Sequence, residues 1–436
     1  MLNRVDRDGA FADLTLHAEL RASKLGRRDR ALATELAYGT LRLRGRIDAL
    51  IAQCLNPDRR RPEPRVRNLL RLGAYQILYT SGIRDAAAIS ETVELAKTHG
   101  LAYSGGFLNA VLRRLARKAA VGALRFPDLD TDPVGYLRDW GSLPEWLANR
   151  WLEQFGATEA VALADACARP PPRTIRVSAG ANLDAVVKRL GGQRCTYAPR
   201  GVTRLDRDPV SDPGFDRGEF TVQDEASQLV PLLLGAEPGD AAVDCCAAPG
   251  TKSVQLAEQV GPKGEVVALE LHKSRLPLIY RAALRLNLEN LRILQRDAAK
   301  GFDLQGRLRF KRVLVDAPCS GLGALKRNPD ARWRVAPEEI EGWAERSGAI
   351  LDSAARYVED DGVLVYSVCT HTPEETGSLI DRFLETHRDF CVDDPRPYLL
   401  PAAAELVDET GALRTLPHLH GCDGFFAVRL VKSCAV

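Results

Sequence analysis

The chain has 436 residues, 45% of them hydrophobic and 27% charged, which is long for one core and ordinary for a soluble globular protein of two or three domains. The start, MLNRVDRDGA, lacks the apolar stretch of a signal peptide and no run approaches spanning length, so a cytoplasmic protein without membrane segments is expected. Ten cysteines at 54, 167, 195, 245, 246, 319, 369, 391, 422 and 434 include no CxxC pair, which argues against disulfides and a zinc site.

The net charge of +2 conceals a split along the chain. Residues 1 to 125 carry 23 Lys/Arg against 12 Asp/Glu, a net +11, whereas the remainder carries 37 against 46, a net −9. Such asymmetry fits a polyanion-binding arm joined to a different kind of domain, and equally a solvated helical surface. The six arginines of NPDRRRPEPRVRNLLR (56 to 71) favour nucleic acid.

The first 125 residues read as an all-α bundle. Phe107, Leu108, Val111, Leu112 and Leu115 form one helical stripe, with Arg113, Arg114 and Arg117 on other faces. Val66, Leu69, Leu70, Gly73, Ile77 and Leu78 form a second. Pro62 and Pro64 mark the approach to that helix, and Gly105 and Gly106 the turn before the other. Residues 126 to 220 open with the aromatic helix LPEWLANRWLEQFG, pass ARPPPRTIRVS, and continue as short β-like runs, a small α+β module.

From about 221 apolar strands alternate with amphipathic helices, the pattern of a doubly wound, Rossmann-like α/β domain reaching residue 436. AAVDCC (241 to 246), GEVVALEL (264 to 271), LRILQRD (291 to 297), RVLVDAP (312 to 318) and GVLVYSVC (362 to 369) are the strands. Ligands of such sheets bind outside the strands' carboxyl ends, where the chemically suggestive residues fall.

CCAAPGTKS (245 to 253) is not a P-loop, because Thr251 separates Gly250 from Lys252 and no glycine stands at 245 or 246. Cys245 and Cys246 point in opposite directions if they end a strand, which argues against one shared metal. Glu270, 20 residues after Gly250, has the spacing of an acid that accepts ribose hydroxyls. Asp297 at the third strand's end suits an adenine amino group. Without GxGxxG, a nucleoside lacking a pyrophosphate fits better than a nicotinamide dinucleotide. DAPCSGLG (316 to 323) ends the fourth strand, SVCT (367 to 370) ends the fifth, and PEE (373 to 375) opens the next helix. Two thiols are thereby delivered to one sheet edge beside Asp316, whereas Cys167, Cys195, Cys391, Cys422 and Cys434 are assigned to packing.

The runs DCCAAPGTK, VDAPCSGLGALKRNPDARW and YSVCTHTPEE, with Glu270 and Asp297, resemble the motifs of S-adenosylmethionine-dependent RNA 5-methylcytosine methyltransferases. LAYGTLRLRGRIDALI, LRLGAYQILY and FLNAVLRRLAR resemble the helical NusB-like RNA-binding domain fused to the Sun/Fmu (RsmB) branch of that family. GCDGFFAVRLVK is similar to its final strand. The resemblance implies S-adenosylmethionine as cofactor, RNA as partner, 16S ribosomal RNA with target cytosine 967 as substrate, no metal, and a monomer. It makes Cys369 the attacking thiolate, Cys319 the thiol that assists release, and Asp316 the acid between cytosine and cofactor. Cofactor contacts would come from Cys246, Ala247, Ala248, Pro249, Gly250, Thr251, Lys252, Glu270, Asp297 and Asp316.

The order of the thiols does not follow from spacing, since DNA cytosine methyltransferases use a Pro-Cys thiol equivalent to Pro318-Cys319. Lys252 either fixes the loop or lowers a thiol pKa. KRNP (326 to 329) either contacts phosphates or is an exposed loop. Thr251, Glu270 and Thr376 depart from the family's usual glycine, aspartate and asparagine. Rival readings are a transfer-RNA methyltransferase of the same chemistry, a non-catalytic RNA-binding or antitermination factor, and, more distantly, a nicotinamide-dependent oxidoreductase.

Overall fold

The computed structural model describes residues 1–56, 61–302 and 309–432. Arg59 and Arg60 of the arginine-rich run, and Cys434, lie outside the described residues. The chain forms two compact units, Met1–Pro170 with Leu325–Pro337, and Pro171–Ala324 with Glu338–Val436. Residues 126 to 220 are thus shared between the units, 126 to 170 with the first and 171 to 220 with the second.

The first unit is helical. Its core is built where the two sequence stripes meet: Leu70 from the helix Pro64–Tyr79, and Leu108, Leu112 and Leu115 from the helix Gly105–Ala120, are all fully buried. Phe107, Ile77 and Leu78 pack against that core while partly exposed. Pro64 opens its helix, where a fixed φ helps and the missing N–H is not needed. Gly105 and Gly106 do not form a turn before the helix Gly105–Ala120; they begin it, and a Cβ on Gly105 would already meet Val93 at 3.4 Å. The aromatic helix begins at Glu145 and breaks at Gly156, whose φ is 74°.

Segment 325–337 is folded into this unit through its polar side chains. Arg332 is fully buried and donates to the carbonyls of Cys167 (3.1 Å), Ser142 (3.2 Å), Arg42 and Leu325 (both 3.4 Å). Trp333 Nε1 donates to the Leu41 carbonyl at 3.2 Å, and Arg44 lies over the Trp333 ring. Within KRNP, Lys326 is buried and only Asn328 is exposed. That run is therefore not a freely exposed loop, and its lysine is not a surface cation.

The second unit holds two sheets. The smaller is antiparallel, with strands β1 (Ile175–Val177), β2 (Gln193–Arg194), β3 (Gly201–Thr203) and β4 (Phe220–Val222) in the order β2-β3-β1-β4. Ile175, Val177, Val202 and Phe220 pack there on Val186 and Leu190 of the helix Leu183–Leu190.

The larger sheet comprises β5 (Ala241–Asp244), β6 (Glu265–Glu270), β7 (Leu291–Gln295), β8 (Phe310–Asp316), β9 (Val358–Val368), β10 (Phe390–Val392), β11 (Ala412–Thr415) and β12 (Phe425–Lys432). Their order is β10-β12-β9-β8-β5-β6-β7, with β11 also paired to β12. β5 to β9 run parallel to one another, and β12 is antiparallel to β9. Both faces are covered, so successive residues enter opposite cores: Val243, Val313, Val315, Leu364 and Tyr366 one, Ala242, Leu314, Val363 and Val365 the other. That is why these strands read as unbroken apolar runs. The strand order reverses at β5, between β6 and β8, opening a crevice at their carboxyl ends.

Candidate active site

β5 stops at Asp244, so the next two residues leave the strand alternation. Cys245 is buried, and Cys246 packs against the same core rather than the opposite face. The reason is local: the Cys246 N–H turns back onto the Asp244 carboxylate at 3.3 Å. Burial drives both thiols well above the ordinary cysteine pKa. Among the described residues no group of three His, Cys, Asp or Glu is placed to hold a metal.

Ala247, Ala248 and the exposed Pro249 complete the loop, which Arg275 braces by donating to the Ala248 carbonyl at 3.1 Å. Gly250 has φ 108°, and a Cβ there would stand 3.1 Å from the Ile279 Cα, so conformation and space both require glycine. Thr251 is the first residue of the helix Thr251–Val260, where a side chain is tolerated.

The cofactor-type acids occupy neighbouring strand ends. Glu270, buried at the end of β6, accepts the His272 N–H at 2.8 Å and lies 3.8 Å from Arg275. Asp297, just past β7, accepts the Ala299 N–H at 3.2 Å, with Lys300 at 3.7 Å.

The parallel register of β8 and β9 sets Asp316 beside Ser367. The Ser367 hydroxyl donates to one Asp316 oxygen at 2.7 Å, and the Lys252 ammonium, itself 5.0 Å from the Phe425 ring centre, donates to the other at 2.7 Å. Three and two residues further on, Cys319 and Cys369 approach to 3.4 Å between sulfurs. The Cys319 pKa is driven well above the ordinary thiol value, first by its hydrogen bond to Cys369, then by burial and by the charges of Cys369 and Glu375. The structure thus gathers Lys252, Asp316, Cys319 and Cys369 at one edge, with the loop 246–251, Glu270 and Asp297 along the same row of strand ends.

Several participants had no role assigned from sequence. Asp244 is buried, accepts the Ser253 hydroxyl at 2.6 Å, and has its pKa raised to about 6, chiefly by burial. Ser367 was detectable as a hydroxyl inside an apolar strand. Glu375 is fully buried and reaches Ser320, as described below. In sequence Thr372-Pro-Glu-Glu375 mimics a capping box, which conceals that contact. Thr376 donates to the Thr372 carbonyl at 2.8 Å.

A nucleoside bearing hydroxyls and an amino group needs acceptors at strand ends and a close backbone approach. Glu270 and Asp297 are such acceptors, and the loop carries no side chain at Gly250, so the residues present fit S-adenosylmethionine. This sheet and crevice define an S-adenosylmethionine-dependent methyltransferase. A family model for 16S rRNA methyltransferase RsmB/F matches residues 231–431, and one for the NusB family matches residues 1–117. The probable ribosomal RNA small subunit methyltransferase B of Bacillus subtilis is 34% identical over 438 residues, covering 99% of this chain and 97% of the relative. The ribosomal RNA small subunit methyltransferase B of Thermus thermophilus is 36% identical, covering 99% and 95%. The crystal structure of PH0851 superposes with a TM-score of 0.78 at 25% identity, over 95% of this chain and 93% of that one. That of NSun6 from Pyrococcus horikoshii with SFG, at 20% identity and a TM-score of 0.58 over 67% and 99%, shares the fold. The chain belongs to the ribosomal RNA small subunit methyltransferase B family, as an S-adenosylmethionine-dependent RNA methyltransferase with an amino-terminal NusB domain.

Proposed function

We propose that this protein methylates C5 of a cytosine in 16S ribosomal RNA, the family's position 967, through a covalent adduct between Cys369 and C6. The observation that carries this reading is the pair of sulfurs 3.4 Å apart, three residues beyond an aspartate bonded to a lysine at 2.7 Å.

Cytosine C5 is too weak a nucleophile to take a methyl group unaided. Cys369 as thiolate adds to C6 and makes the ring enamine-like, so that C5 becomes the nucleophile. When bound, S-adenosylmethionine supplies the methyl group on a sulfonium, which C5 attacks. A proton relayed from the Lys252 ammonium through the Asp316 carboxylate, which accepts from both Lys252 and Ser367, neutralises the charge at N3. Lys252, left by sequence between two roles, commits its ammonium to Asp316. The C5 proton then leaves to a base, the C6–S bond breaks, and Cys319 assists release by protonating the departing Cys369 sulfur. Loop residues Cys246 to Lys252 would hold the methionine end, Glu270 the ribose, and Asp297 the adenine.

A paired base hides C6, so the target is extruded or unpaired. The basic residues 1–125 supply salt-dependent backbone affinity, while the pocket selects the base. The protein acts as a monomer in three functional parts, 1–125, 126–220 and 221–436.

The test incubates wild type, Cys369→Ala and Cys319→Ala with methyl-labelled S-adenosylmethionine and 16S or transfer RNA, then separates protein from RNA under denaturing conditions. Label in wild-type 16S RNA at C5, none with Cys369→Ala, and a protein-bound adduct with Cys319→Ala are expected. Transfer that survives Cys369→Ala but not Cys319→Ala reverses the thiols, and labelling of transfer RNA alone overturns the substrate.

A further inference from the structure

We propose that Glu375 is a positioning residue that fixes the spacing of Cys319 and Cys369 by tying together the two turns that carry them; this rests on the two-thiol reading above.

Glu375 is withdrawn from solvent entirely, being 0% exposed. Its side chain acts as an acceptor for the Ser320 N–H at 2.8 Å, the Ser320 hydroxyl at 2.6 Å, and the Thr372 hydroxyl. Because the Ser320 hydroxyl spends its proton on Glu375, it accepts from the Thr370 hydroxyl at 2.9 Å. The donors therefore run in one direction, from Thr370 through Ser320 to Glu375, with Thr372 arriving from the other side. Each cysteine thus has an immediate neighbour in the network: Ser320 follows Cys319, and Thr370 follows Cys369.

The surrounding backbone supports the same function. The Pro318 carbonyl, just before Cys319, accepts from Ser347 at 2.8 Å. The Gly323 N–H donates to the Cys369 carbonyl at 2.9 Å, closing the two turns on each other. A Cβ on Gly323 would lie 2.1 Å from the Gly424 carbonyl oxygen and 2.9 Å from that of Cys369, so the approach admits only glycine. The Tyr366 hydroxyl donates to the Glu375 carbonyl at 2.8 Å, anchoring the clamp to β9. A simple helix cap would bond its own chain's first amides; this carboxylate instead reaches 55 residues away to the turn of Cys319.

Two sulfurs held at bonding distance to one arsenic atom can be bridged by phenylarsine oxide, and the bridged peptides can be read by mass spectrometry without any catalysis. In the full-length wild type the reagent should join the peptides of Cys319 and Cys369, and Cys319→Ser should abolish that bridge. Glu375→Gln keeps shape but turns one of the two acceptor oxygens into a donor, so it cannot accept from the Ser320 N–H and from both hydroxyls together. It should lower the bridging rate about tenfold or more while each thiol still reacts singly with iodoacetamide, and reduce kcat about tenfold to a hundredfold at unchanged KM for RNA. Thr372→Val removes one donor and should give a smaller loss of the same kind. Unchanged bridging in a folded Glu375→Gln protein overturns the proposal. Bridging that depends on Glu375 in a protein whose wild type transfers no methyl group would sustain the clamp and reject the two-thiol chemistry.

Discussion

Lys252→Met isolates the proton held between Lys252 and Asp316. Methionine retains the unbranched stem and removes the ammonium, which lies over the Phe425 ring. The lost interaction is a charge-assisted hydrogen bond of 2.7 Å, worth about 1.5 to 3 kcal/mol. Asp316 keeps the Ser367 hydroxyl at 2.7 Å and its side chain is 27% exposed, so water replaces part of the loss. The stability cost should therefore sit near the lower end, about 1.5 kcal/mol, or a fall in Tm of about 3 to 6 °C. The effect on chemistry is larger, because a positioned proton donor typically accelerates its step by about 10² to 10⁴. Single-turnover transfer from labelled S-adenosylmethionine should slow at least about a hundredfold, and a Lys252→Met, Cys319→Ala double variant should accumulate adduct equally slowly. Transfer within about threefold of wild type in the folded variant would refute the reasoning.

Asp244→Asn tests the buried acid next to the loop. Its pKa of about 6 against an ordinary 3.8 means that between those values the folded chain keeps the proton while the unfolded chain has lost it. The associated stability is present below about pH 4 and lost as pH rises through 6, roughly 3 kcal/mol in all; denaturant titrations from pH 4 to 7 should show that decline in wild type relative to Asp244→Asn, and parallel curves would refute it. Gly250→Ala forces a side chain into a φ of 108° and against Ile279, so cofactor affinity by calorimetry should fall at least about tenfold; unchanged affinity would remove the loop from the cofactor site. Arg332→Ala takes this donor from its carbonyl partners and should expose segment 325–337, giving tryptic cleavage after Lys326 or Arg327 that wild type resists. Equal resistance in both proteins would show that Arg332 does not hold the segment.

The strands near the crevice were legible because two-sided burial writes continuous apolar runs, and the thiols because each ends such a run in a Gly/Pro-shaped turn. β10 and β11 are short edge elements, paired through three and four residues, and carry too little pattern to be read. The orientation of Cys246 was misread because alternation holds only while a strand lasts, and β5 ends two residues earlier. Segment 325–337 resisted reading for another reason. Its burial is achieved by Asp330, Arg332 and Trp333 bonded to distant backbone, and polar residues ordinarily signal solvent. Glu375 was concealed by a local pattern with a sufficient local explanation.

The inclusion of segment 325–337 in the helical unit has a consequence for how the protein is made. A ribosome finishes residue 170 long before it reaches residue 337, and the carbonyls that Arg332 bonds wait for that side chain throughout the interval. At about 5 to 20 residues per second the delay is roughly 10 to 30 s. The amino-terminal unit therefore cannot complete its folding when residue 170 emerges, as a contiguous domain would during synthesis; it waits until the chain has built most of the second unit and returned, with residues 338–436 still to follow. Nascent chains arrested before residue 337 should remain protease-sensitive around Ser142 and Cys167, and those arrested well beyond it should not.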